Sequence, residues 1–142
     1  MAISQAMCTL FKKDLLLGDH HLDSDDIRIA LYTSSASLDA TTDGYTTSNE
    51  ITNASGSAYT AGGLQLTFTG TTAVAENGTS GVFDADDPEW TSASFTANGA
   101  LIYNKTLGDA SSNARGAIAV LAFGGDFTVA GGTFKIVFPA AT

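Results

Sequence analysis

The side chains that could do chemistry in this chain lie in a few short polar segments. His20 and His21 are adjacent, and Cys8 is the chain's single thiol. A structural zinc site takes about four nitrogen or sulfur ligands. Adjacent residues of a strand point to opposite faces, and adjacent residues of a loop have no fixed geometry. The histidine pair therefore predicts solvated loop residues after a helix, and no zinc site.

The densest acidic segment contains Asp84, Asp86, Asp87 and Glu89. Calcium binds carboxylate oxygens, and this segment could supply several of them. The EF-hand pattern is absent, because the glycine and the glutamate that the pattern places later in the loop are missing. A solvated acidic turn is the favoured interpretation, and a divalent-cation site is the alternative. The same interpretation applies to an earlier acidic group, Asp23, Asp25 and Asp26.

No residue pattern in the sequence defines a catalytic centre. Glycoside hydrolysis needs two carboxylates across a cleft, and nothing singles out a pair. A Ser-His-Asp triad would have to use His20 or His21, and no serine lies in a nucleophile-elbow motif. The glycine-rich segment GGDFTVAGG lacks the lysine and the helix start of a phosphate loop, and a hairpin turn is the simpler interpretation. We predict a protein that is not an enzyme, with no catalytic, cofactor-binding or metal-binding residues.

Composition limits the possible partners. The chain has 142 residues, 44% of them hydrophobic, and a net charge of −9 with only six Lys and Arg. These scattered cations make no patch for nucleic acid, and an anionic membrane surface would repel the chain. The N-terminal residues do not form a signal peptide, and no apolar run reaches the ~20 residues of a transmembrane helix. We therefore expect no nucleic acid or membrane partner.

Short apolar runs separated by turn residues dominate the chain from Tyr59 to Pro139. This rhythm predicts an all-β, mainly antiparallel fold, a β-sandwich or barrel-like single domain over residues 1–142. Asn77-Gly78 predicts a hairpin, Pro88 a loop that leads Trp90 into a strand, and GAIAVLAFGG a central strand. The predicted core includes Leu64, Leu66, Phe68, Val120, Ile136 and Phe138.

The first third of the chain has a different pattern. Apolar residues at helical spacing predict one helix over residues 4–17, capped by Ser4 and ended by Gly18. It either packs on the sheet or forms an arm that docks on a neighbouring subunit. The segment 27–32 alternates as a half-buried strand does. Residues 34–58 have few aliphatic side chains, and are far longer than an ordinary connection. We expect a long loop that contacts a partner, with an edge strand near Tyr45 to Ile51 as the alternative.

Several phrases of the sequence, taken as a set, resemble one family. They are FKKDLLLGDHHL, IRIALYTSSASLDATTDGYTTSNEI, YTAGG, GALIYN and AVLAFGGDFTVAGGTFKIVFP. This set is similar to small virion structural proteins from the head and tail gene blocks of tailed bacteriophages. The match spans most of the chain and is weakest over residues 71–98, apart from Trp90.

The resemblance implies a virion component without catalysis, made in the host cytoplasm. Its preferred position is that of a capsid decoration, or cement, protein that binds the major capsid protein as a homotrimer. The alternative is a tail, collar or head-fibre component, which could attach to the host. The interface residues predicted from the N-terminal segment and the long loop are Phe11, Leu15, Tyr45 and Ile51.

Overall fold

Two long antiparallel strands organise the domain. The computed structural model describes residues 2–52, 56–68 and 74–139. Its elements, in chain order, are β1 (Ala6–Met7), α1 (Thr9–Leu17), β2 (Ile27–Tyr32), β3 (Leu64–Gln65), β4 (Val74–Asn77), β5 (Ser80–Phe83), β6 (Glu89–Asn104), α2 (Lys105–Ala110) and β7 (Ala117–Lys135). The main sheet has the order β1-β7-β6-β2-β3, and β4 and β5 form a separate hairpin. The predicted fold class, mainly antiparallel β with an N-terminal helix, is confirmed.

Strand β2 forms where the sequence predicts it, antiparallel to β6 from Ile27 opposite Asn104 to Tyr32 opposite Gly99. It is not half-buried, however. Ile29, Ala30 and Leu31 are all inaccessible to solvent, so the strand is covered on both faces. The alternation of side-chain types along β2 therefore does not indicate which side chains are exposed, because Ala30 and Tyr32 are also buried.

The central strand of the sheet is β6, and the segment predicted to be central lies one place away, at the start of β7. The hairpin through Asn77-Gly78 is confirmed, with Asn77 opposite Ser80 and Gly78 at φ 62°. The loop before Trp90 is also confirmed: β6 begins at Glu89, and Trp90 is buried.

Helix α1 begins at Thr9, and not at Ser4 as predicted. The preceding residues form β1 instead, with Ala6 opposite Val120 and Met7 opposite Ala119. Strand pairing is favoured here because it gives these backbone groups hydrogen-bond partners, whereas the first turn of a helix leaves its N–H groups unpaired. The predicted stop is confirmed: Gly18 adopts the left-handed conformation (φ 78°) that ends helices, a conformation that favours glycine. The short helix α2 was not predicted; Asn104 caps it by accepting a hydrogen bond from the Leu107 N–H.

The segment GGDFTVAGG is not a hairpin turn; it lies inside β7. Between the pairs Ala97–Phe127 and Gly99–Ala122, β7 contains residues 123–126 where β6 has only Asn98. The Asn98 side chain closes this bulge by donating to Asp126 Oδ1 at 2.8 Å. The glycines therefore serve a bulge that lets one long strand bend.

The core lies between the main sheet and the segments that cover it. Of the predicted core residues, Leu66 and Val120 are buried, while the rest are partly buried and pack against the core: Leu64, Phe68, Ile136 and Phe138. Tyr59 and Trp90 extend the core with rings 6.2 Å apart. Neither helix in the described part of the chain is long and apolar enough to span a bilayer.

Candidate interaction surface

The N-terminal segment and the long loop, predicted as separate binding elements, lie side by side. The Ser4 N–H donates to the Leu38 carbonyl at 2.8 Å, and the Leu38 N–H donates to the Ala2 carbonyl at 3.2 Å. The Thr9 N–H donates to the Ala40 carbonyl at 2.8 Å. We call residues 2–17 and 34–52 the N-terminal layer. Its two segments share backbone hydrogen bonds, and so they present one continuous surface.

Glu50 anchors the loop half of this layer. Its carboxylate is buried and accepts hydrogen bonds from the Tyr45 hydroxyl (2.6 Å), the Tyr59 hydroxyl (2.6 Å) and the Gly62 N–H (2.7 Å). Burial and the hydrogen bond to Glu50 raise the pKa of both tyrosines. A buried carboxylate is tolerated when donors satisfy its oxygens, and these three donors connect the loop to the segment that follows it.

Contacts of the tyrosine side chains connect the loop to the main sheet. Tyr45 stacks on Tyr103 with ring centroids 4.8 Å apart. The Tyr103 hydroxyl donates to the Gly62 carbonyl at 2.7 Å, and burial raises the pKa of Tyr103 to about 12. The Tyr32 hydroxyl donates to the Thr46 carbonyl at 2.7 Å. The loop is therefore held by its own fold, and a partner that binds it would not have to order it first.

A second polar network holds helix α1 in place. The Arg115 guanidinium donates to the buried Asp14 at 3.1 Å and also pairs with Asp19. These hydrogen bonds raise the pKa of Arg115, with Asp19 the larger cause. Because Asp14 is buried, its charge needs such a partner. The network fixes one face of α1 on the domain.

His20 is buried close to this network, so the prediction that it is a solvated loop residue was wrong. Its ring packs edge-on against Phe11 at 4.8 Å, and its Nδ1 lies 3.2 Å from the Asn104 amide, which also donates to Asp25 at 2.6 Å. Its Nε2 is buried and has no hydrogen-bond partner in the described part of the chain. Burial lowers the pKa of His20. His21 is exposed as predicted.

The predicted interface residues separate into two groups. Phe11 and Ile51 are each 5% exposed and belong to the core. Tyr45 is half-buried against Tyr103, and Leu15 is 47% exposed. Only the last two lie where a partner could touch them in this conformation. Whether any of the four contacts a partner stays a prediction.

Two strongly exposed leucines were not among the predicted interface residues. Leu16 is 89% exposed and Leu17 is 64% exposed, next to Leu15 at the C-terminal end of α1. We call Leu15, Leu16 and Leu17 the leucine patch. Three consecutive leucines span more of a helix than one buried stripe can cover, and this signal could have identified them. An exposed apolar patch of this kind often marks an interaction site.

The acidic segment after β5 has structural partners. Asp86 accepts from the Thr67 hydroxyl at 3.0 Å. Asp87 accepts from the Phe138 N–H at 2.8 Å and lies 3.5 Å from Lys135 Nζ. Within residues 2–52, 56–68 and 74–139, no three His, Cys, Asp or Glu side chains converge as metal ligands would. These carboxylates hold β7 and the neighbouring loops together.

The chain matches no protein-family profile, and no curated protein or solved structure is significantly similar to it. Function therefore has to be inferred from the residues and their geometry.

Proposed function

We propose that this protein is a non-enzymatic structural component of a tailed-bacteriophage virion. In this proposal it is a decoration, or cement, protein that binds the outer face of the shell and stabilises contacts between capsomers. It is made in the host cytoplasm and joins the particle there. The resemblance of its sequence phrases to small virion proteins suggests the class, and the N-terminal layer supports a role in binding.

The observation that carries the proposal is the leucine patch on a firmly held helix. Arg115 and Asp14 fix the inner side of α1, while Leu16 and Leu17 point to solvent. A single solvated leucine needs no explanation, but three in a row on a rigid element give a ready apolar contact. The major capsid protein, or another virion protein, is the partner that this role requires.

A homotrimer fits this role because it multiplies weak contacts. A shell packed with DNA is under outward pressure, and its subunits tend to separate. A trimer that spans several capsomers makes several contacts at once, so the whole is hard to remove even when each contact is weak. A stiff β domain transmits this load without unfolding.

The proposal is tested by adding the purified protein to particles that lack it and measuring occupancy. We expect saturable binding that changes little between low and moderate salt, because the leucine patch is uncharged. Leu16→Glu should weaken this binding, and Thr79→Glu, an exposed change on the β4–β5 hairpin outside the N-terminal layer, serves as the charge-matched control. Binding that is lost at moderate salt, or that is equal for both variants, would show that the patch is not the contact.

The copy number in a purified particle separates the proposed position from the alternative. A shell protein that follows capsid symmetry is present in roughly hundreds of copies, whereas a tail, collar or head-fibre component is present in about six or twelve. Quantitative mass spectrometry of particles gives this number directly. A low copy number would favour the tail, collar or head-fibre position.

A further inference from the structure

Among the residues that the structure describes, nothing pairs with one edge of β7 over most of its length. In the described part of the chain, β1 pairs with β7 only at Ala119 and Val120. From Leu121 to Lys135, β7 pairs on one side only, with β6. The backbone groups on its other side are free to pair with another strand, and proteins rarely leave such an edge uncovered.

An apolar groove of about 410 Å³ is lined by residues from this part of β7. Every residue that lines it lies between Phe123 and Ile136, so the walls come from β7 and the residue that follows it. Phe127 is 54% exposed in the groove. The groove therefore has walls on one side only, and a second strand paired with the free edge of β7 would enclose it.

The sequence of this edge is complementary to itself. If two copies of β7 pair antiparallel about a point between Ala130 and Gly131, Asp126 lies opposite Lys135 of the second copy. In the same register Phe127 lies opposite Phe134, and Thr128 lies opposite Thr133. Opposite charges, aromatic pairs and threonine pairs are all favourable cross-strand neighbours. In this register, three successive cross-strand pairs are therefore favourable.

The bulge at Gly131 makes this register possible. Phe127 and Phe134 are an odd number of residues apart, and in a regular strand they would point to opposite faces. The extra residue at Gly131 (φ 67°), between the pairs Ala93–Gly132 and Ser94–Ala130, restores them to one face. Phe123 accordingly lies 6.1 Å from each of them, centroid to centroid. A two-fold axis perpendicular to the sheet then places aromatic against aromatic.

Charge also favours a second copy as the occupant. The chain carries −9 overall, so two copies repel each other over most of their surface. Strand β7 contains one acid and one base, Asp126 and Lys135, and its net charge is zero. Both side chains have partners within their own chain, Asn98 and Asp87, and both residues are exposed, so they can also reach a neighbouring strand.

We propose that the free edge of β7 pairs antiparallel with the same edge of a second copy, about a two-fold axis between Ala130 and Gly131. The inference does not depend on the virion role. Two-fold pairing is isologous and cannot by itself close a ring of three. A chain that otherwise stays single would form a dimer, and one that forms trimers would form a hexamer of two trimers back to back.

Disulfide trapping tests the register. Paired residues of antiparallel strands have Cα atoms about 4.5–5.5 Å apart, within the range that a disulfide spans. We expect a mixture of Thr128→Cys and Thr133→Cys chains to form a crosslink between unlike chains. Either variant alone should crosslink little, because the like residues are far apart in this register. The native Cys8 is buried and does not compete.

A charge exchange tests the same contact without a disulfide. We expect light scattering to give a mass of an even number of chains, and Lys135→Glu to halve it. The double variant Asp126→Lys with Lys135→Glu should restore the mass, since it rebuilds the pair with reversed signs. Lys13→Glu changes the net charge equally on the exposed side of α1 and should leave the mass unchanged.

Three results would overturn the proposal. They are a native protein that is monomeric or trimeric, a Lys135→Glu variant with unchanged mass, and crosslinks between like chains as abundant as those between unlike chains. Circular dichroism of each variant distinguishes loss of pairing from loss of folding. If Lys135→Glu is unfolded, the crosslinking of the threonine variants decides the outcome.

Discussion

The Tyr59 hydroxyl donates a hydrogen bond to Glu50 Oε1 at 2.6 Å and accepts one from the Leu31 N–H at 3.0 Å. One phenol thus connects the long loop to strand β2. Tyr59 and Leu31 are inaccessible to solvent, and Glu50 is 7% exposed. The connection is therefore shielded from competing water, and the loop belongs to the folded domain as much as the strands do.

Replacing Glu50 with Gln should destabilise the domain. The amide has one acceptor oxygen and brings two N–H groups toward the hydroxyl and N–H donors that the carboxylate satisfied. Loss of a hydrogen bond to a buried charged group costs about 1.5–3 kcal/mol in the free energy of unfolding. Urea denaturation measures this change. Glu76→Gln, on an exposed position of β4, is the matched control and should shift the midpoint little; equal midpoints for the two variants would contradict the anchoring role.

Stability should fall as the pH drops below about 6.5, because of His20. Burial keeps the pKa of His20 below its ordinary value of 6.5 in the folded state, despite the nearby Asp14 and Asp25. The unfolded chain therefore takes up this proton first as the pH falls, and stability is complete above 6.5 and decreases below it. Thermal denaturation between pH 5 and 7 measures the slope. His20→Gln should flatten this slope and His21→Gln should not; a native slope retained in His20→Gln would rule out this source.

Substitutions of Phe11 and Leu16 should have very different effects on the free energy of unfolding, although both residues lie on α1. Phe11→Ala removes a buried ring that contacts His20 and should cost about 3–5 kcal/mol of unfolding free energy. Leu16→Ala removes a side chain that is 89% exposed, and the free energy of unfolding should hardly change. Urea denaturation gives both values. A large loss for Leu16→Ala would show that the leucine patch is part of the core.

Gly44 should tolerate no side chain. A Cβ atom at this position would lie 1.8 Å from the Asn113 carbonyl oxygen, so the loop and the segment before β7 would have to separate. Such overpacking costs typically about 1–3 kcal/mol. Gly81→Ala is the control, since a Cβ there has no neighbour within 4 Å. The melting temperatures of the two variants should differ clearly, and similar values would contradict the close approach.

The sequence predicted the parts of the fold that depend on local patterns. Strand β2 alternates, Asn77-Gly78 suits a tight hairpin, and Gly18 ends a helix, each for reasons contained in a few neighbouring residues. The start of α1 was wrong because Ala6 and Met7 pair with a strand more than a hundred residues later, which no local window can indicate. The length of β7 was missed because glycines that usually mark a turn here form bulges.

The candidate surface was less accessible to sequence reasoning. Residues 34–58 were singled out by their length, and their contact with a partner stays a prediction. No local pattern marked Glu50 as buried. Its burial depends on Tyr45, Tyr59 and Gly62 converging on it in three dimensions. Phe11 and Ile51 were chosen because they are apolar, and apolar residues in a short helix or a polar loop more often complete a core than a contact.

The pairing of β1 with β7 also bears on the order of events during synthesis. Strand β1 leaves the ribosome well before its neighbour and can pair only when residues near Val120 have emerged. Helix α1 likewise waits for Arg115 to neutralise Asp14. Contacts between residues so distant along the chain slow folding, because the intervening segment must be closed into a loop first. Strand β1 and helix α1 consequently remain available to cellular chaperones until β7 has been synthesised.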